Sequence, residues 1–240
     1  MKNLLIRACA LITTLAVAVL GAAACSGEQE STAACGTVID TTGFAEIAKS
    51  EELIKQQLPG FLGKCGWVAY AAITGSSVGS SCQQQSLALQ GGNNDNELVR
   101  KKVREELIGQ AGERARGLLT CNDGSSGSDV LGGLQMIADR LDDAPDGAGG
   151  QRRIIVFSDL MNNKGINFKS CDFGEPTARS GVVDKLKSGG RIPDLGGVAV
   201  TVYGFNLLEE RRPECVPPLK ELWKAIFAAA GVDESNLRIL

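Results

Sequence analysis

The chain predicts a three-layer α/β domain. Its core is a Rossmann-like, mostly parallel central sheet of about six strands, with helices on both faces and one antiparallel edge strand. Three observations predict it. Ile154-Ile155-Val156-Phe157 is an unbroken apolar run, suited to a strand covered on both faces. Residues 66–74 (GWVAYAAIT) and 198–205 (VAVTVYGF) are two further runs of strand length. Between these runs lie stretches with helical spacing, and strands alternating with helices build a sheet covered on both sides. At 240 residues the chain is the size of one domain plus a tail, and 43% hydrophobic and 22% charged residues are globular values.

The elements follow in order. Residues 37–40 (TVID) form a strand that ends in Asp40, followed by Thr41-Thr42-Gly43. A helix over 44–58 has its apolar residues at Phe44, Ile47, Leu53, Ile54 and Leu58, and Pro59-Gly60 stops it. Strand 66–74 turns at 75–79 (GSSVG) and returns along 82–89, which gives the antiparallel edge strand. A long helix spans 97–119, apolar at Leu98, Val103, Leu107, Ala111, Ala115 and Leu118, with Asp95 or Asn96 as its cap. The loop 121–127 (CNDGSSG) leads to Ser128, placed as N-cap of a helix over 129–141. Residues 142–150 (DDAPDGAGG) read as an exposed linker into the central strand. After it come a long loop at 161–176, a helix at 178–187, the strand 198–205, a loop at 206–218, a helix at 219–230 carrying Trp223, and a final edge strand at 236–240.

The first 24 residues read as a targeting segment rather than as structure. Lys2 and Arg7 supply its charged region, residues 11–20 its apolar core, and Gly21-Ala22-Ala23-Ala24 its small residues. They resemble a bacterial lipoprotein signal of a secreted, actinobacterial-type protein, in which Cys25 is lipidated and becomes the first residue. The usual Leu three positions before the cysteine is here Ala22, so plain cleavage after Ala24 is the alternative. Residues 25–34 then form a flexible tether and 35–240 the folded domain. Either way the chain is exported: anchored at the outer face of the cytoplasmic membrane through Cys25, or secreted. Cys9 and Cys25 apart, six cysteines remain: Cys35, Cys65, Cys82, Cys121, Cys171 and Cys215. An even number in an exported chain implies disulfides, and no C-x-x-C pair favours a metal thiolate site.

Composition narrows the chemistry. The net charge of −3 and the acidic residues following the Arg100–Arg104 cluster argue against a nucleic-acid partner. The chain has no histidine, which removes Ser-His-Asp and Cys-His catalysis and histidine-ligated zinc. What remains is a pair of carboxylates, Asp40 and Asp159, each at the carboxyl end of a central strand. Ligands of open α/β sheets bind beyond these ends, and a cation is the usual reason to bring two carboxylates together there.

Strand-Asp-Thr-Thr-Gly, a Gly/Ser loop leading into a helix, and strand-Ser-Asp-loop together resemble the von Willebrand factor A (VWA) domain, over nearly all of 35–240. Many such domains carry a metal-ion-dependent adhesion site (MIDAS) with the pattern D-x-S/T-x-S, then a Thr or Ser before a later helix, then an Asp after the next strand. Carried over residue by residue, the resemblance implies Asp40, Thr42, Ser128 and Asp159 as ligands of Mg²⁺ or Mn²⁺. The chain departs from the pattern at Phe44, which cannot coordinate a metal, and at Leu160, where glycine is usual. The topology so implied also sorts the cysteines. Cys35 and Cys65 begin neighbouring parallel strands, Cys82 and Cys121 meet at the top, and Cys171 and Cys215 lie in the two later top loops.

The function this implies is an envelope-tethered binding module that captures a protein or other envelope ligand with its top-face loops, through a divalent metal. Residues Asn162, Asn163, Phe168, Lys169, Phe173, Leu207, Leu208, Arg211 and Arg212 would set its specificity. A metal-free scaffold in envelope assembly is the alternative that Phe44 and Leu160 favour. The start Asp40-Thr41-Thr42-Gly43 also looks like that of haloacid-dehalogenase-type phosphatases, with Asp40 as nucleophile and Lys164 or Lys169 beside the phosphate. The Thr at position 42, where those enzymes usually carry Asp, and the 66–89 hairpin weigh against an enzyme.

Overall fold

The computed structural model describes residues 33–43, 46–92, 95–146 and 150–240. The expected signal over 1–24, the lipidation candidate Cys25 and Phe44 lie outside these residues. The sheet comprises β1 (Ala33–Asp40), β2 (Cys65–Ile73), β3 (Leu87–Ala88), β4 (Arg152–Phe157), β5 (Val198–Tyr203) and β6 (Leu237–Ile239). Its spatial order is β3-β2-β1-β4-β5-β6, and only β3 runs antiparallel to its neighbour. The helices are α1 (Ile47–Leu62), α2 (Glu97–Leu119), α3 (Val130–Asp142), α4 (Pro176–Ser188), α5 (Phe205–Glu209) and α6 (Val216–Ala229). The architecture is the predicted one: a mixed α/β fold with a mostly parallel sheet and one antiparallel edge strand.

Alternation along the strands divides the core in two. Val38, Ile154, Val156, Val200 and Val202 pack with α3 and α6 on one face. Cys35, Ile39, Val68, Tyr70, Ile155 and Phe157 pack with α1 and α2 on the other. Every residue of β1 is buried, including Ala33 and Ala34, so the strand begins inside the stretch read as a tether. Gly36 is required on the first face, because a Cβ there would run into Ile137 of α3.

Several elements depart from expectation for identifiable reasons. Helix α1 continues through Pro59 to Leu62, since burying Leu58 and Leu62 outweighs one lost helical hydrogen bond. The return strand shrinks to Leu87–Ala88, paired with Val68 and Trp67. Helix α2 spans the predicted residues and is capped by Asn96, whose side chain accepts from Leu98 and Val99 N–H groups. Its anchoring residues lie at the far end, at Ala111, Ala115, Leu118 and Leu119, while Leu98 stands 77% exposed. The stretch 206–218 is mostly helical, in α5, a 3₁₀ turn at Pro213–Cys215 and the start of α6. Leu207, Leu208, Phe168 and Phe173, expected on the rim, are buried in the core. Phe168 packs edge-on against both Phe173 and Trp223.

Disulfides join Cys35 to Cys65, Cys82 to Cys121 and Cys171 to Cys215, the pairs the strand order implies. They close loops of 30, 39 and 44 residues. The last ties the loop after β4 to the segment after β5, so it braces the carboxyl rim of the sheet.

Candidate functional site

Register creates the site. Ile39 pairs with Phe157, so Asp40 and Ser158 emerge side by side one residue later, and Asp159 lies one step beyond. Asp40 is 2% and Asp159 5% exposed. One oxygen of Asp40, Oδ1, accepts from Thr42 twice, from N–H at 2.9 Å and from Oγ1 at 2.6 Å. The other, Oδ2, accepts from Ser158 Oγ at 2.6 Å. Asp159 Oδ1 accepts from Met161 N–H at 3.0 Å, and its Oδ2 from Arg211 Nη2 at 2.9 Å.

The two carboxylates are costly to ionise together. Burial pushes the Asp40 carboxyl above its ordinary range, although hydrogen bonds from Ser158 and Thr42 and the charge of Arg211 pull the other way. Asp159 is pushed up to about 6, first by burial and then by the negative charge of Asp40. The Met161 N–H and Arg211 offset only part of this.

Ser128 lies on the same rim. It does not cap α3. Asp129 does, accepting from Gly132 N–H at 3.2 Å, and Arg191 holds Asp129 at 2.7 Å. Ser128 is instead gripped through its backbone by Asn163, whose Oδ1 accepts from Ser128 N–H and whose N–H donates to Ser128 C=O. The next residue, Asp129, donates its N–H to Thr74 C=O beside the end of β2. Held this way, the Ser128 Oγ is buried and has no hydrogen-bond partner in the structure. Such orphaned hydroxyls cost about 1–3 kcal/mol.

The turn beneath Asp159 is unusual. Leu160 has φ 57°, the left-handed region in which glycine is favoured. Three contacts hold it there. Its side chain is fully buried, its N–H donates to Ser158 Oγ at 2.9 Å, and its C=O accepts from Trp223 Nε1 at 2.9 Å. Leu160 therefore adopts the glycine-type backbone without the glycine. Gly204, at the end of β5, has φ 139°, and a Cβ there would strike the Ser158 backbone, so only glycine lets the two strand ends meet.

The structure thus brings Asp40, Thr42 and Asp159 into one polar cluster and places Ser128 on the same rim. Ser158 and Arg211 belong to the cluster and were not legible as members. Ser158 directly precedes Asp159, which was the available signal, whereas Arg211 is 52 residues from its partner and leaves no local trace. Asn162, expected on the surface, is fully buried and shapes the loop, donating to Lys164 and Ile166 carbonyls.

The residues fit a hard cation in kind: two carboxylates with raised pKa values, two hydroxyls, and one buried hydroxyl oxygen with nothing bound to it. Among the described residues there is no group of three or more His, Cys, Asp or Glu able to hold a metal, so a cation here would depend on hydroxyls and water. A nucleophilic Asp40 fits less well, since both its oxygens are hydrogen-bonded and its side chain is nearly inaccessible.

No protein-family model matches the chain, and no curated protein matches it in sequence. Solved structures that resemble it include manganese-loaded TRAP protein of Plasmodium vivax, at 12% identity and a TM-score of 0.34 over 72% of this chain. They also include the pilus adhesin SpaC of Lactobacillus rhamnosus GG in an open conformation, at 11% identity and a TM-score of 0.43 over 87% of this chain. The chain spans 57% of the first and 28% of the second.

Proposed function

We propose that this protein is an exported, envelope-tethered VWA-like binding module that captures a protein or other envelope ligand at the carboxyl rim of its sheet. A divalent cation, Mg²⁺ or Mn²⁺, is held among Asp40, Thr42, Ser128 and Asp159. The observation that carries this reading is the unpartnered, buried Ser128 Oγ on the rim that bears two mutually repelling carboxylates. A bound cation would supply the charge that Arg211 alone leaves short for the two carboxylates, and the partner that Ser128 lacks. Water and an acidic group of the captured ligand would complete an octahedral shell.

The chain's own residues do the rest. Thr42 and Ser158 orient Asp40 by donating to its two oxygens. Met161 N–H fixes the Asp159 carboxylate. The Cys171–Cys215 disulfide holds the flanking segments so that the rim is set before binding, which lowers the ordering cost of association. Three disulfides accord with an oxidising location. Among the described residues no helix is long and apolar enough to cross a membrane. In this reading the lipid on Cys25 tethers the domain.

A second reading has one observation behind it. Arg211 donates to Asp159, and a guanidinium can serve as the counter-charge in a metal-free scaffold. Calorimetric titration of the protein with Mg²⁺ and Mn²⁺ separates the two. The metal reading expects saturable binding that is lost in Asp159→Ala and Ser128→Ala and kept or tightened in Arg211→Gln, where the competing cation is gone. Absence of binding in the wild type and in Arg211→Gln would overturn it and leave the scaffold.

A further inference from the structure

A second site lies on the sheet face that bears α1, over β4, β5 and β6. Parallel strands in the interior of a sheet are normally covered on both faces. Strand β5 has neighbours on both sides, yet its burial alternates: Val198, Val200 and Val202 are buried, while Ala199, Thr201 and Tyr203 are only partly so. On that face α1 packs against β2 and β4, Tyr203 at the end of β5 packs against the core, and the rest of the outer face of β5 is only partly buried. The result is a cleft of about 510 Å³, within the size range of small-molecule sites.

Its lining is polar and of one sign. Gln56, Gln57 and Lys64 come from the α1 side, Arg153 from β4, Thr201 from β5 and Arg238 from β6, and among the described residues no acidic one lines it. Arg153 and Arg238 have no ion pair among the described residues. Strand register fixes their relation. Thr201 pairs with Arg238 on one side and with Ile155 on the other, and Arg153 is two residues before Ile155 on the same face. With strands about 4.8 Å apart and a rise of about 3.3 Å per residue, the two arginine Cα atoms stand roughly 12 Å apart with Thr201 between them. Both arginines line the cleft together with Thr201. Planar guanidinium forks suit the oxygens of phosphate and carboxylate, and the surrounding amides and hydroxyls suit a ligand rich in hydroxyl groups.

We propose that this cleft binds a hydroxyl-rich small molecule bearing a phosphate or carboxylate, whose anionic group sits between Arg153 and Arg238 over Thr201. The site lies on the sheet face and shares no lining residue with the Asp40–Asp159 cluster, so it stands or falls independently of metal binding at the rim.

The test is calorimetric titration of the full chain at about 0.15 M salt with three probes: glucose 6-phosphate, glucuronate and uncharged glucose. Saturable binding of at least one anionic sugar is expected, with none for glucose. Affinity should fall at least tenfold in Arg153→Gln and in Arg238→Gln and hold in Asp159→Ala. Whichever anionic sugar binds more tightly identifies phosphate or carboxylate as the recognised group. Thermal unfolding of each arginine variant checks its fold, and Arg238→Lys, which keeps the charge, should retain part of the affinity. No saturable binding of either anionic sugar, equal binding of glucose, or undiminished affinity in both glutamine variants would overturn the proposal.

Discussion

Asp159 makes the rim expensive at neutral pH, and that expense can be measured. Its carboxyl rises from an ordinary 3.8 to about 6 on folding, chiefly through burial and the neighbouring Asp40. An acid whose pKa is raised in the fold favours the folded state when protonated. The penalty is therefore absent below about pH 4, where the carboxyl is protonated in both states. It grows as pH rises from 4 to 6 and is complete above 6. At about 1.4 kcal/mol per pH unit of separation, it amounts to about 3 kcal/mol at pH 7.5. Asp159→Asn cannot ionise and escapes it. Urea unfolding of wild type and Asp159→Asn from pH 3.5 to 7.5, disulfides intact and metal chelated, gives the comparison. Relative to wild type, the variant should gain about 3 kcal/mol across that range, or roughly 6–12 °C in Tm for a domain of this size. Asp40 is present in both proteins and contributes to both curves. Curves that stay parallel from pH 3.5 to 7.5 would refute the raised Asp159 pKa that burial and Asp40 together produce. Adding Mg²⁺ at pH 7.5 should then stabilise the wild type, by about 2.7 kcal/mol at a hundredfold excess over Kd, and leave Asp159→Asn unmoved.

Further predictions follow from other contacts. Ser128→Ala removes an unpartnered buried hydroxyl, so it should stabilise the metal-free protein by about 1 kcal/mol while Mg²⁺ binding is lost; chemical denaturation and calorimetry read the two effects separately. Thr37→Val is the matching control, since Thr37 Oγ1 on β1 is equally orphaned and remote from the rim; it should gain similar stability with metal binding unchanged. Leu160→Ala should lose about 3–5 kcal/mol, from a buried cavity left with its left-handed strain intact. Leu160→Gly should be no less stable than Leu160→Ala, reversing the usual penalty of glycine relative to alanine, and urea unfolding of both variants checks this. Trp223→Phe should lose about 1–3 kcal/mol, because the buried Leu160 carbonyl loses its donor.

The sequence by itself determined the sheet. Long β-branched and aromatic runs have no other stable disposal than buried strands, and the two aspartates that end such runs had to sit on one rim. It also determined that six cysteines would pair, because an even number without thiolate metal spacing favours disulfides. The cap of α3 was not decidable locally. Ser128 and Asp129 are both good caps, and only the grip of Asn163 on the Ser128 backbone and of Arg191 on Asp129 decides between them. That choice frees the Ser128 hydroxyl and gives the rim its character. Arg211 reaches Asp159 across 52 residues through a turn that the Cys171–Cys215 bridge helps to position, and no local pattern encodes such a contact. The strand at 198–205 was legible, but the alternating burial of Val198–Tyr203 was not. Whether Thr201 and Tyr203 face a helix or a cleft depends on where α1 comes to rest, and that is fixed by the packing of Ile54, Leu58 and Leu62 over β1, β2 and β4. Local chemistry thus set the elements, and tertiary packing decided which polar groups were left without partners.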